Sequence, residues 1–257
     1  MGRFCPENFQ KFRQSMPGKF DITFAGAEAN VAASIAMLGG NARFVTALPE
    51  NEMTEACLSV LKGIDIDTSF IKKVKYGRFG LYFVERGANQ RPGKVMYDRE
   101  YSSVSLTPGE SYNWNVIFKD AGWLHTTGIT PALSELSAKA TEIAVRAAKE
   151  KGLTVSCDLN FRKKLWQWKE HVPANELARK TMRKILPYVD AVIANEEDAH
   201  NVLGISAENT DVDSGQLDVT KYTEVAKEIV HQFPNVKQVG ITLRESLSAT
   251  HNNWGAM

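Results

Sequence analysis

No stretch of this chain is apolar for long enough to span a membrane, and residues 1–19 lack the charged-then-apolar pattern of a secretory leader. A basic excess is missing as well. The net charge of +1 over 257 residues excludes the electrostatic footprint of a nucleic-acid binder. Cysteine is scarce: Cys5, Cys57 and Cys157 are the only three, and their spacing fits neither a metal site nor a redox pair. A sparse, odd set of thiols is the pattern of a reducing cytoplasm. Gly-x-Gly-x-x-Gly and Gly-x-x-x-x-Gly-Lys-Ser/Thr are both absent, so neither a dinucleotide fingerprint nor a P-loop is present. No internal repeat or low-complexity segment occurs. What remains is an ordinary globular composition with 43% hydrophobic residues, enough for one large α/β domain or a domain with a small appendage.

The most informative stretch is 153–166, Leu-Thr-Val-Ser-Cys-Asp-Leu-Asn-Phe-Arg-Lys-Lys-Leu-Trp. It opens as a buried strand after the helix stop at Gly152 and then turns polar. If the chain stays extended, Asp158, Asn160 and Arg162 share one side, with Leu159 and Phe161 on the other. The C-terminal end of a buried strand is where an open α/β sheet binds its ligand. Strands at 121–127, 189–194 and 236–242 end in the same polar manner. Helices are predicted at 134–151, with Leu136, Ala140, Ile143, Ala144 and Ala147 inward, at 174–186, and at 220–233, with Tyr222, Val225, Ala226, Ile229, Val230 and Phe233 inward. This alternation implies a mostly parallel sheet covered by helices.

Nearer the N-terminus, residues 1–19 show no periodicity. A short strand at 20–24 leads through Ala25-Gly26-Ala27-Glu28-Ala29-Asn30 into a small-residue helix whose apolar side is Val31, Ile35 and Leu38. A buried strand at 42–47 and a helix at 52–61 follow. Then the rhythm changes. Strands at 69–75, 79–86 and 94–99 have no helix between them, and Tyr76-Gly77 reads as a hairpin turn. A small antiparallel sheet, formed by about 20–25 and 69–100, is expected as a lid or a dimer surface. Residues 247–257 read as the start of another strand pair.

Several residues are candidates for chemistry. Gly26, Ala27 and Asn30 sit at a helix start, where free backbone N–H groups can meet a ligand, or where small residues only allow close packing. Tyr82, Tyr97 and Arg99 can stack on and hydrogen-bond a polar ligand, or can be a solvated strand face. A lid closing over the strand tips would bring Arg99 towards Arg162, and two arginines imply an anionic ligand such as a carboxylate. Arg162 can instead pair only with Asp158 or a neighbouring carboxylate. Asn195, Glu196, Glu197 and Asp198 either meet the dipole of a helix start or hold Mg²⁺ through waters. Thr242, Arg244 and Ser246 can reach nucleotide phosphates or ribose. His125 and Cys157 read as core residues.

Taken together, these segments resemble the ribokinase-like (phosphofructokinase-B) carbohydrate kinases, and within them the 2-keto-3-deoxygluconate kinases. The segments that carry the resemblance are Ala25 to Ala32, Gly80-Leu81-Tyr82, Tyr97-Asp98-Arg99, Gly128 to Leu133, Asp158 to Trp166, Asn195 to Asp198 and Thr242 to Ser246. The resemblance implies one incomplete domain over 1–257, with a three-layer α/β body and a β lid, acting in the cytoplasm as a homo-oligomer joined through that lid. It implies that Gly26, Asn30, Tyr82, Tyr97, Arg99, Ile129 and Arg162 hold a small anionic sugar acid, Arg162 also giving electrostatic support to the reaction. Asn195, Thr242 and Arg244 would lie near ATP, and Glu197 or Asp198 would hold Mg²⁺ through water. The family's Gly-Ala-Gly-Asp segment, whose aspartate is the general base, does not occur in these residues. It is expected after Met257, and the 257 residues by themselves are expected to be inactive. Other readings are a kinase for a neutral sugar or nucleoside, and a non-catalytic sugar-acid binder on the same fold.

Overall fold

Residues near the N-terminus, aperiodic in sequence, form a central strand. In the computed structural model, which describes residues 1–206 and 219–257, the chain divides into two units. The first is Met1–Thr107 with Ser248–His251, and the second is Pro108–Leu247 with Asn252–Met257.

The first unit contains β1 (Gly2–Pro6), α1 (Phe12–Ser15), β2 (Phe20–Phe24), α2 (Ala27–Met37), β3 (Ala42–Arg43), β4 (Ala47–Pro49), α3 (Glu52–Lys62), β5 (Ile66–Asp67), β6 (Lys72–Val74), β7 (Leu81–Glu85), β8 (Lys94–Asp98) and α4 (Ser103–Leu106). A four-stranded sheet has the order β2-β1-β7-β8. Its outer pairs are antiparallel and β1 runs parallel to β7. The register sets Thr23, Arg3, Tyr82 and Tyr97 in one row and Ile22, Phe4, Phe83 and Met96 in the next. Period two puts the two rows on opposite faces, one polar and one apolar.

Three expectations are corrected here. Residues 72–74 do not join this sheet, because β6 pairs with β4. Tyr76-Gly77 is therefore a bend and not a hairpin. Gly77 has φ +73°, and a Cβ there would lie 2.7 Å from Ser103 Cα. A bend needs such a glycine whatever its flanks pair with. The strand expected at 42–47 is split into β3, paired with β5, and β4. Finally, α2 does not bury Val31, Ile35 and Leu38. Ile35 and Leu38 are exposed, while Ala32, Ala33 and Ala36 meet a core of Leu48, Cys57, Leu58, Leu61, Ile66, Ile71 and Phe79. Alanines let the helix approach closely, so the smallest side chains face inward.

The second unit contains α5 (Trp114–Ile117), β9 (Trp123–Thr127), α6 (Glu135–Glu150), β10 (Thr154–Asp158), α7 (Ala174–Ile185), β11 (Ala191–Ala194), α8 (Glu196–Asp198), α9 (Val219–Gln232), β12 (Gln238–Ser248) and β13 (His251–Ala256). Its sheet has the order β13-β12-β11-β10-β9, with β9 to β12 parallel. Ile241 and Met257 exchange backbone hydrogen bonds of 2.8 and 3.0 Å, closing β12 and β13 as a hairpin. The inward face of α6 is not the expected one. Ser137, Ala138, Thr141, Val145 and Ala148 are buried and Leu136 is exposed. Thr141 Oγ1 donates to Ser137 O at 2.9 Å, so its hydroxyl is satisfied inside the helix and can be buried. In α9 and just after it, Tyr222, Val225, Ile229 and Phe233 are buried as expected, but Val230 faces solvent. Among the described residues, no helix is long and apolar enough to cross a membrane.

Candidate functional site

The strand tips of the second unit are in register. Asp158 pairs with Thr127 and Ile193, and Ala194 pairs with Ile241. The turn after β10 is built from this edge, one residue at a time. Gly128 N donates to Asp158 O at 2.8 Å, and Leu159 N to Ile193 O at 2.9 Å. A Cβ on Gly128 would lie 2.1 Å from Leu159 O, so only glycine allows the two chains to meet there. Asn160 then turns left-handed with φ +38°, and its N–H closes on Asp158 Oδ1 at 3.2 Å. The expected alternation of Asp158, Asn160 and Arg162 is thereby broken. An asparagine tolerates the left-handed region and its neighbours hold it there. Phe161 N donates to Asp198 Oδ1 at 2.9 Å. Arg162 is exposed, and its Nη1 donates back to Phe161 O at 2.7 Å. Beyond it, Trp166 is 1% exposed and anchors the segment.

Asn195 follows β11 and caps α8, its Oδ1 accepting from Asp198 N at 2.6 Å. Glu197 is exposed and Asp198 is buried. Burial raises the Asp198 carboxyl above its usual range, against the hydrogen bond from Phe161 and the charge of Arg162. Among the described residues, no group of three or more His, Cys, Asp or Glu is arranged to hold a metal. The Glu197 side chain is on the exposed side of this segment, whereas the Asp198 carboxylate meets the turn through Oδ1. Thr242 donates weakly to Ala194 O at 3.4 Å, beside Asn195. Arg244 is engaged across the hairpin, with Nε and Nη2 on Asn252 Oδ1 at 3.0 and 2.9 Å and its guanidinium 5.3 Å from the Trp254 ring. Ile129 is buried and its N–H donates to Thr127 Oγ1 at 3.1 Å. His125 is half-buried with Nδ1 2.8 Å from Ser156 Oγ, and Cys157 is fully buried.

The other candidates lie in the first unit. Gly26 precedes α2, and its O accepts from Asn30 N at 2.7 Å. A Cβ at Gly26 would touch only Ala29 Cβ, at 3.6 Å, so tight packing does not account for the glycine. Tyr82 and Tyr97 are cross-strand partners with ring centroids 6.5 Å apart. Arg99 continues the face of Tyr97. Its Nε and Nη1 are sealed from solvent and have no hydrogen-bond partner among the described residues. Burial lowers its pKa, and nearby Glu28 pulls it back up. Burial also raises the Tyr82 hydroxyl, opposed by Arg3 and Arg99. Sequence reasoning missed Arg3, Glu28 and Ser102 here. Ser102 Oγ is also sealed and unpartnered among the described residues, and it lies beside Gly80 and Arg99. Only the tyrosine–arginine pattern was visible in sequence, because Arg3 belongs to the strand that showed no periodicity.

The parallel sheet with its aligned tips and the mixed four-stranded sheet define a ribokinase-like α/β fold. The family model of the pfkB family carbohydrate kinases matches residues 7–243, and the chain belongs to that family, whose members use ATP. It is similar to the crystal structure of 2-dehydro-3-deoxygluconokinase from Thermotoga maritima, with a TM-score of 0.90 and 43% identity over 100% of this chain and 74% of that one. It is 32% identical over 184 residues to a 2-dehydro-3-deoxygalactonokinase of Haloferax volcanii, covering 72% of this chain and 55% of that protein. It is 30% identical over 187 residues to fructokinase-1 of Zea mays, covering 73% and 55%. The chain thus spans about half the length of the curated relatives it matches.

Proposed function

We propose that the protein is a sugar-acid kinase of the cytoplasm, passing the γ-phosphoryl group of Mg·ATP to the terminal hydroxyl of 2-keto-3-deoxygluconate to give the 6-phosphate and ADP. The observation that carries this reading is Arg99, a guanidinium with two sealed, unpartnered nitrogens among the described residues. Buried guanidinium N–H groups without acceptors are costly even with the charge of Glu28 nearby, and a ligand carboxylate would supply the missing acceptors. In the first unit, Gly26, Asn30, Tyr82, Tyr97 and Arg99 are assigned to the sugar acid. In the second, Ile129 and Arg162 are, with Asn195, Thr242 and Arg244 towards the nucleotide. Magnesium would neutralise charge on the transferring phosphoryl group, and Glu197 is the carboxylate available to hold its waters. Phosphoryl transfer asks the protein mainly for positioning and charge neutralisation, and Arg162 provides both.

The similarity to a fructokinase makes a neutral sugar the alternative substrate. ADP release by the full-length protein, measured with 2-keto-3-deoxygluconate, its galactonate epimer, fructose and ribose, decides between them. Turnover of the acids alone is expected, and Arg99→Gln should raise their KM about 10- to 100-fold. Equal or better turnover of fructose would overturn the reading, and binding of the acid without turnover would mark a non-catalytic binder. The four-stranded sheet is assigned as the lid. Its apolar row, with Ile22 and Met96 each 52% exposed, suits contact with a second copy of the chain. Light scattering should then report an oligomer that Met96→Lys dissociates, and a monomeric wild type would remove this assignment.

A further inference from the structure

Asp198 is only 6% exposed, and its contacts run towards the β10 turn. Phe161 is held from both sides of its own backbone. Its N–H donates to Asp198 Oδ1 at 2.9 Å, and its O accepts from Arg162 Nη1 at 2.7 Å. Asp198 is in turn fixed through its own N–H, which donates to Asn195 Oδ1 at 2.6 Å. The chain of contacts is therefore Asn195, Asp198, Phe161, Arg162. The preceding residue, Asn160, is left-handed at φ +38°, a conformation that persists in a non-glycine only when its surroundings impose it. Leu159 and Asn160 have their N–H groups on Ile193 O and Asp158 Oδ1, and Asp198 supplies the next acceptor in the series.

We propose that Asp198 is a positioning residue that fixes the Phe161 peptide and thereby aims the Arg162 guanidinium, and that it is not a metal-holding carboxylate. It joins α8, which carries Glu197, to Arg162, which is assigned to the sugar acid. The inference rests on the sugar-acid kinase reading for the identity of the ligand that Arg162 meets. Its geometry stands within the second unit alone.

The test compares Asp198→Asn with Asp198→Ala in the full-length protein, titrating sugar acid and Mg²⁺ separately. Asparagine keeps an oxygen acceptor at the Oδ1 position and nearly the same volume, while alanine removes it. For a positioning role, Asp198→Ala raises the KM for the sugar acid about tenfold, with the half-saturating Mg²⁺ concentration unchanged, and Asp198→Asn stays close to wild type in both. A Mg²⁺ requirement raised tenfold by Asp198→Asn overturns the proposal, as does an unchanged sugar-acid KM in a folded Asp198→Ala. Should the alanine variant fail to fold, the Mg²⁺ titration of Asp198→Asn decides alone: unchanged supports positioning, and raised overturns it. Failure of the functional reading is distinct, since it shows in the wild type as a preference for neutral sugars before any variant is made.

Discussion

Asp190 joins β10 to the end of α6 in the second unit. It is 8% exposed, its two oxygens accept from Lys149 Nζ at 2.9 and 2.8 Å, and one also accepts from Val155 N at 2.9 Å. Burial alone would raise its carboxyl pKa. The hydrogen bonds from Lys149 and Val155 outweigh that and hold it below the usual carboxylate value. A depressed folded pKa means stability that is present above the unfolded pKa and is lost as pH falls through the folded one. Melting temperature should therefore drop as the wild type is acidified below about pH 4. Asp190→Ala should be less stable at pH 7 by about 2 kcal/mol and should show a shallower acid limb. An unchanged acid limb would remove the assignment. Asp190 does not stand out in the sequence, and Asp198 stands out only as a candidate for Mg²⁺ and not as the partner of a turn, because a buried carboxylate is identified by its partners and these are 41 and 37 residues away. Arg99 and Arg162 were legible by type and by their place at strand ends. The left-handed turn at Asn160 was not, since asparagine is also acceptable in an extended chain.

At the scale of elements, the strand–helix rhythm of the second half was read correctly because each strand is a short apolar run between turn residues. The helix faces were legible only where they bury large side chains. In α7, Leu177, Met182 and Ile185 are buried as the 3.6-residue period requires. In α2 and α6 the inward face is made mostly of alanine, serine and threonine, with Val145 the one larger apolar residue fully buried on α6, and a search for large apolar residues passes it over. The consequence is measurable. Ala148 is fully buried and Leu136 is 40% exposed. Ala148→Leu should cost about 1–3 kcal/mol by overpacking, whereas Leu136→Ala should change stability by less than about 0.5 kcal/mol. Denaturant unfolding with a constant slope would measure both. The reverse ranking would restore the face read from hydrophobicity. The strand β1 was missed for a related reason: five residues that run from glycine to proline carry too little alternation to identify, and its pairing with β2 and β7 is decided far along the chain.

For the whole molecule, the order of the motifs was more telling than any one of them, and it pointed to the family that the comparison then established. The division into two units was not legible, because it depends on where contacts concentrate in space. The cysteines report on it. All three are free and buried, Cys5 and Cys57 in the first unit and Cys157 in the second. A thiol reagent should find none of them in the native protein and all three in denaturant. At intermediate denaturant, two thiols appearing first would mean that the first unit opens first, and one thiol would mean the second. Reaction of any thiol under native conditions would contradict the burial. The turn after β10 has a further implication for how such a protein can diversify. Its path is secured by main-chain atoms and by Asp158 and Asp198, and the exposed Arg162 side chain adds one hydrogen bond, to Phe161 O. With the ligand role proposed for Arg162, exchanging that one side chain should retune which ligands are accepted at the cost of one exposed hydrogen bond, which makes the position a natural starting point for redesign.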